Sequence, residues 1–503
     1  MNFASSTSCA KCGGTGLVES EIPPYKLGPS PVPQLVGTND PPSEFQADAI
    51  RNTMSEVQPF VSALDGDIVQ VQARLMELQW KREILHSYFH EHERLLSPIR
   101  RLPADLLGDI FIFCLPERWQ DRRFEGTIAP LLLTKICRYW RAVAVSTARL
   151  WSSFVYESQS HSYVALTKLW LTRGVNCATN IRIAEPFVDP QVLNLLVSHS
   201  ERWREVDIVL RSWMLSDVAT VKDRLLLLQT LTIDGRGPFD DQINFPWAQL
   251  DKLAVHSYNF SPTLAGLEHA TALTDLRLTA MFSCNPVPTN VIHLNQLRSL
   301  HLQFVNWGAL NDLFPFLVSP ALKDICIAQD ERIDFPVWIC HEAFISFLSQ
   351  SSCSLRRIAF HDVPLYDVHL LQYMAYSPSL TELVLRGKAS RSITDNVLHQ
   401  LTYQDTEGVQ EAYLASGLQV IDIDAYHALN QSLFLDMVQS RLHIRTNNPI
   451  AMPRLRKLTI TLPYEDGQLK PIVFSQARVR QLRDDGLDIS IVQLSKEKSS
   501  VVH

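Results

Sequence analysis

Residues 97–115 read SPIRRLPADLLGDIFIFCL and residues 129–151 read APLLLTKICRYWRAVAVSTARLW. In the first stretch Leu102, Leu106, Leu107, Ile110, Phe111, Cys114 and Leu115 return at helical steps, which gathers them on one broad apolar face. Pro103 suits a first turn, where its missing N–H would have had no partner, and Asp105 sits near the positive end of the helix dipole. Pro116 closes the segment. After Pro130, Leu132, Ile136, Trp140, Val143 and Ala144 share a second face, with Lys135, Arg138 and Arg141 mostly opposite, and Leu150-Trp151 ends the unit. Two or three short helices of this size bury too little surface to be stable alone, so the segment is expected to be covered by a partner.

The ordered pattern LPxDLLxxIFxxxLP, then ICRYWRxVA, then LW resembles the F-box, and LLSPIRRLP resembles the F-box-like proteins abundant in mushroom-forming fungi. The likeness covers about 55 of 503 residues and rests on Leu102, Pro103, Ile110, Cys137, Trp140, Leu150 and Trp151 in order. Ile136 stands where valine is usual, Ala148 where proline is common, and 117–129 is a longer insert than compact F-boxes carry. The resemblance implies a surface for a Skp adaptor drawn from Leu102, Pro103, Leu106, Leu107, Ile110, Phe111, Leu115, Cys137, Trp140, Leu150 and Trp151. Within that set Trp140 and Trp151 are expected mainly to lock the last helix against the first. By the same resemblance the chain would be a substrate receptor of an SCF-type cullin-RING ubiquitin ligase. The alternative is an interaction scaffold, built on leucine-rich repeats, that takes no part in ubiquitination.

A net charge of −7, with 46% hydrophobic and 20% charged residues, is an ordinary globular composition without the basic excess that nucleic-acid binding needs. No run of 18 apolar residues and no leader-like start occurs, so neither a membrane span nor secretion is expected. Nine irregularly spaced cysteines suit free thiols in the cytoplasm or nucleus better than a disulfide framework.

Residues 1–61 are dense in proline, glycine and serine and read as a disordered arm. Cys9-Ala-Lys-Cys12 is half of a zinc-ribbon pattern, and without a second pair no metal site is assigned. Residues 62–96 read as one long helix, with Leu64, Ile68, Val71, Leu75, Leu78, Leu85, Phe89 and Leu96 on alternating four- and three-residue steps. This seam either packs on the following domain or pairs weakly with a second chain. The HEHE run at 90–93 is read as a solvated face.

From residue 156 to 495 the pattern L-x-x-L-x-L, with apolar substitutes, begins at Trp203, Leu228, Leu250, Leu273, Leu297, Leu322, Leu355, Leu380, Leu418 and Leu455. Spacings of 22–25 residues dominate, with 33, 38 and 37 after Leu322, Leu380 and Leu418. That period belongs to leucine-rich repeats, so the expected fold is an F-box-like helical module between a long helix and an α/β solenoid in an irregular horseshoe, with 496–503 a disordered tail. Degenerate units are expected around Ile181 and Ile489. The ladder asparagine of regular repeats is missing, its place taken by residues such as Val305, Asp330, Val363 and Lys388. Alternate strand positions should present Arg277, His301, Arg357, His361 and Arg386 on one face, interleaved with Asp324, Glu382, Asp422 and Asp424, as a site for an unidentified target protein.

No nucleophile elbow, phosphate loop or dinucleotide fingerprint appears, and His341-Glu342 lacks the second histidine of a zinc pair because Ile345 stands there. No cofactor, metal or enzymatic activity is therefore expected.

Overall fold

The computed structural model describes residues 28–157, 162–184, 188–221, 223–235, 245–257, 260–281, 289–330, 337–403, 414–426, 429–442, 454–462 and 474–493. The zinc-ribbon half at Cys9 and Cys12 and the tail 496–503 lie outside the described residues. The chain divides after Pro103 into two compact units.

The first unit is dominated by helix α1, Glu44–Leu95, none of whose residues is buried. It begins inside the stretch expected to be a disordered arm and carries Pro59 in its interior. The start is set by a capping box: Ser43 accepts from the Gln46 backbone N–H, and the Gln46 side chain accepts from Ser43 N–H at 2.9 Å. Pro59 removes one helical hydrogen bond at a cost of about 3 kcal/mol, which is why the composition alone argued for extended chain here. Just upstream, Val32, Leu35 and Val36 approach Ile50 and Met54 around an apolar pocket of about 410 Å³.

The second unit opens with α2, Ala104–Phe113, then α3, Leu133–Ile136, and α4, Arg138–Ser146. The single helix expected after Pro130 is interrupted at Cys137, whose backbone is extended (φ −156°, ψ 172°) and whose thiol caps α4 by accepting from Trp140 N–H at 3.4 Å. Leu132 and Ile136 therefore do not follow Val143 and Ala144 into the interior.

The rest is an α/β region with a 13-stranded parallel sheet whose strands follow one another in chain order. They are β1 (Ser153–Tyr156), β2 (Thr179–Ile183), β3 (Trp203–Leu210), β4 (Thr230–Gly235), β5 (Lys252–Ser257) and β6 (Asp275–Met281), and then, after the short β7 (Ile292–His293), β8 (Ser299–Phe304). After a second short strand, β9 (Leu317–Val318), which pairs only with β7, come β10 (Asp324–Gln329), β11 (Arg357–His361), β12 (Glu382–Arg386), β13 (Val420–Asp424), β14 (Lys457–Leu462) and β15 (Asp488–Gln493). Each of the ten L-x-x-L-x-L starts falls at or just before one of these strands, and the two degenerate units are β2 and β15. The inward pairs of the pattern, such as Leu231 with Ile233 and Leu300 with Leu302, are buried. Phe360 of β11 meets Tyr373 at 5.8 Å and Phe344 at 6.1 Å, which places the connecting helices Asp367–Ala375 and His341–Ser351 against that face.

The boundary expected at 155/156 falls inside β1, so the helical segment from Ala104 and the sheet share one unit. The insert 117–129 joins them. Arg122 accepts from Val155 N–H at 3.0 Å through its carbonyl, Trp119 Nε1 donates to Glu205 at 2.8 Å, and Phe124 is buried against Phe154 and Trp170. The long insert thus covers the edge of β1 that faces away from β2.

Candidate partner-binding surfaces

Helix α2 is apolar on two faces. Leu107 and Phe111 point into the unit, where Phe111 lies 4.8 Å from the Trp140 ring. Gly108 also faces inward, and a Cβ there would stand 2.8 Å from Thr147 Oγ1. Leu106, Ile110 and Phe113, at i, i+4 and i+7, point outward and are 54, 41 and 89% exposed. Leu132, Ile136 and Tyr139 repeat that spacing across the break at Cys137 and are also exposed. A stripe of large apolar side chains kept in water forgoes about 1.5–3 kcal/mol per residue that burial would return, which makes it a candidate contact surface.

The implied adaptor residues therefore separate. Leu106 and Ile110 are exposed, as is Cys137, while Trp140 is half-buried. Leu107, Phe111, Leu115, Leu150 and Trp151 are buried and form the interior of the module, as was expected of Trp151. Leu102 and Pro103 end the first unit. Phe113, the most exposed of the stripe, was missed. The i, i+4, i+7 spacing from Leu106 was the available signal, obscured because α2 is apolar nearly all round.

The second candidate surface is the polar face of the sheet between β6 and β14. Three rows cross it. Arg277 and His301 lead one row through Cys326, Ala359 and Val384 to Asp422. Gln303, Ala328, His361 and Arg386 form a second, and Ser299, Asp324, Arg357 and Glu382 a third. Of the five expected basic residues, Arg277 is thus level with His301 and His361 with Arg386, whereas Arg357 stands in a different row.

The arginines are already paired. Arg357 bridges Asp324 and Glu382, each at 3.0 Å. Arg386 reaches Asp422 and Asp424, each at 2.6 Å, and also donates to Thr461. The second oxygen of Asp424 accepts from Gly387 N–H at 2.6 Å. Gly387 has φ +58° and lies so close to Asp362 that a Cβ would clash, so glycine is required there.

Cys326, Ala359 and Val384 form a small buried apolar patch in the row between those of Arg357 and Arg386. Burial pushes the Cys326 thiol up to about 11, so it stays protonated. Burial also lowers His301 and His361, with Arg277 the next cause for the first and Arg357 for the second, so both imidazoles favour the neutral form. Asp422 is raised by burial, against the pull of Arg386. The face is therefore polar and internally compensated, which suits shape and hydrogen-bond recognition better than attraction of a bulk anion.

Among the described residues no three His, Cys, Asp or Glu side chains stand close enough to hold a metal, and no helix is long and apolar enough to cross a membrane. No protein-family model matches the chain, and no curated protein matches it in sequence.

Proposed function

We propose that this chain is the substrate-recognition subunit of an SCF-type cullin-RING ubiquitin ligase, in which α2 and its neighbours hold a Skp adaptor and the sheet region holds the target. The observation that carries the reading is the outward stripe Leu106–Ile110–Phe113 on a helix whose opposite face is already packed. In the F-box reading that stripe is the adaptor contact. The inward residues keep the module folded when no adaptor is bound.

The strand region is read as a leucine-rich-repeat solenoid, an irregular horseshoe whose concave side is the polar face. Parallel strands in chain order, ten of the thirteen carrying L-x-x-L-x-L, support this. Catalysis belongs to other subunits. This chain would act by positioning, raising the local concentration of target lysines near the charged conjugating enzyme.

Co-expression of the full chain with a Skp-type adaptor tests the reading. A stable complex is expected, and Leu106→Glu with Phe113→Glu should abolish it without changing the thermal midpoint. If no complex forms, the adaptor assignment fails and the chain is left as an interaction scaffold.

A further inference from the structure

The apolar steps noticed between Leu64 and Leu96 extend through most of α1. Counting back by alternating three and four residues from Leu64 meets Val61, Val57, Met54, Ile50 and Ala47 without a break, so the repeat runs from the first turn to the last with only Arg82 and His92 polar. In this register Pro59 and Gly66, one heptad apart, both fall on the outermost position f. The two residues least suited to a helix are thus placed where they disturb a paired seam least.

We infer that α1 pairs with α1 of a second copy of this chain as an antiparallel coiled coil. Ten seam side chains, from Met54 to Leu96, are 45–70% exposed. At roughly 30–60 Å² of remaining apolar area each, two copies would bury about 600–1,200 Å² from the seam alone, and the flanking residues carry the total into the range of specific interfaces. A single α1 with an interior proline and glycine has no comparable source of stability.

The edges of the seam decide the orientation. One edge carries Asp67 followed by Arg74 and Lys81 at heptad position g, and the other carries Asp65, Gln72, Gln79 and His86 at position e. In a parallel pair g faces e, where Asp67 would meet glutamine, and Arg82 would stack on its own copy in the core. In an antiparallel pair g faces g, so Asp67 meets Arg74 or Lys81 of the other copy, and each Arg82 faces an apolar side chain. Glu77 already bonds Arg74, at 2.5 Å, and Lys81 within the helix, which holds that basic edge in place.

Sedimentation equilibrium of the full chain over a wide concentration range is the test. A reversible dimer is expected. Leu75→Asp with Leu78→Asp should weaken it by more than about ten-fold, while Met76→Asp, on the outer side, leaves it intact. Asp67→Arg should weaken it, and adding Arg74→Asp and Lys81→Glu should restore it. A monomer at all concentrations, including one whose thermal midpoint falls on the Leu75 and Leu78 changes because the seam packs within the chain, overturns the inference. A dimer indifferent to the seam changes also overturns it, and one indifferent to Asp67→Arg overturns the antiparallel orientation.

Discussion

The indole N–H of Trp151 donates to the carbonyl of Ala144 at 2.8 Å, a buried bond that ties the turn Ala148–Trp151 back onto α4. The ring is 0% exposed and is also clasped by Trp170, edge-on at 4.8 Å, and by the Arg173 guanidinium at 4.4 Å. Trp151 is therefore a joint between the helical module and the first helix of the α/β region.

Trp151→Ala should lower unfolding stability by about 3–5 kcal/mol, the cost of a large cavity. Trp151→Phe keeps most of the volume and leaves the Ala144 carbonyl without its donor, so about 1–3 kcal/mol is expected. Chemical denaturation of both variants measures the two terms. No loss in Trp151→Phe would mean that the hydrogen bond contributes nothing, and equal losses in the two variants would mean that the cavity adds nothing to it.

The two faces of α2 should part company under mutation. Leu107→Ala and Phe111→Ala remove buried side chains and should destabilise by about 2–5 kcal/mol each. Leu106→Ala and Phe113→Ala should stay within about 0.5 kcal/mol of the parent. Thermal melts check this, and a large loss at Phe113 would show that its face is covered in solution.

The strands were legible because L-x-x-L-x-L places two apolar residues two apart after a third, and that spacing alone positions a strand with one buried face. The α2 faces were harder to separate. Leu106 and Leu107 are chemically alike, and only tertiary packing, in which Phe111 one turn after Leu107 meets Trp140, distinguishes the inward face. The start of α1 was hidden by Pro59, whose local cost outweighs the weaker signal of the Ser43 cap. The ion pairs of the sheet were out of reach for another reason: Arg386 and Asp424 are 38 residues apart, and nothing local couples them.

His301 and His361 should make stability depend on pH. Both have folded-state pKa values below the ordinary 6.5, so the unfolded chain takes up protons first as pH falls. Their contribution is complete above 6.5 and is lost as pH drops from there through the lower folded values. Asp422, raised above 3.8, acts in the opposite sense, its contribution being present below 3.8 and lost as pH rises through its folded value. The difference between the parent and His301→Gln/His361→Gln isolates the imidazoles. Thermal midpoints of the double variant should fall less than those of the parent between neutral and mildly acidic pH, and parallel curves would remove the histidines from the account.

Arg386 is expected to matter first for folding and only then for any partner. Its side chain is about a quarter exposed and balances two carboxylates that stand two residues apart on one face of β13. Arg386→Ala should cost about 1–3 kcal/mol, less than a fully buried pair because water still screens the site. Adding Asp422→Asn and Asp424→Asn should recover part of the loss, a coupling of about 1 kcal/mol or more in the mutant cycle. A charge reversal at Arg357 or Arg386 that weakens target capture would then be evidence of recognition only where the thermal midpoint is held, as in the swap of Arg386→Asp with Asp424→Arg. If Arg386→Ala leaves stability unchanged, the pairs are solvent-screened and the guanidinium is available to a partner after all.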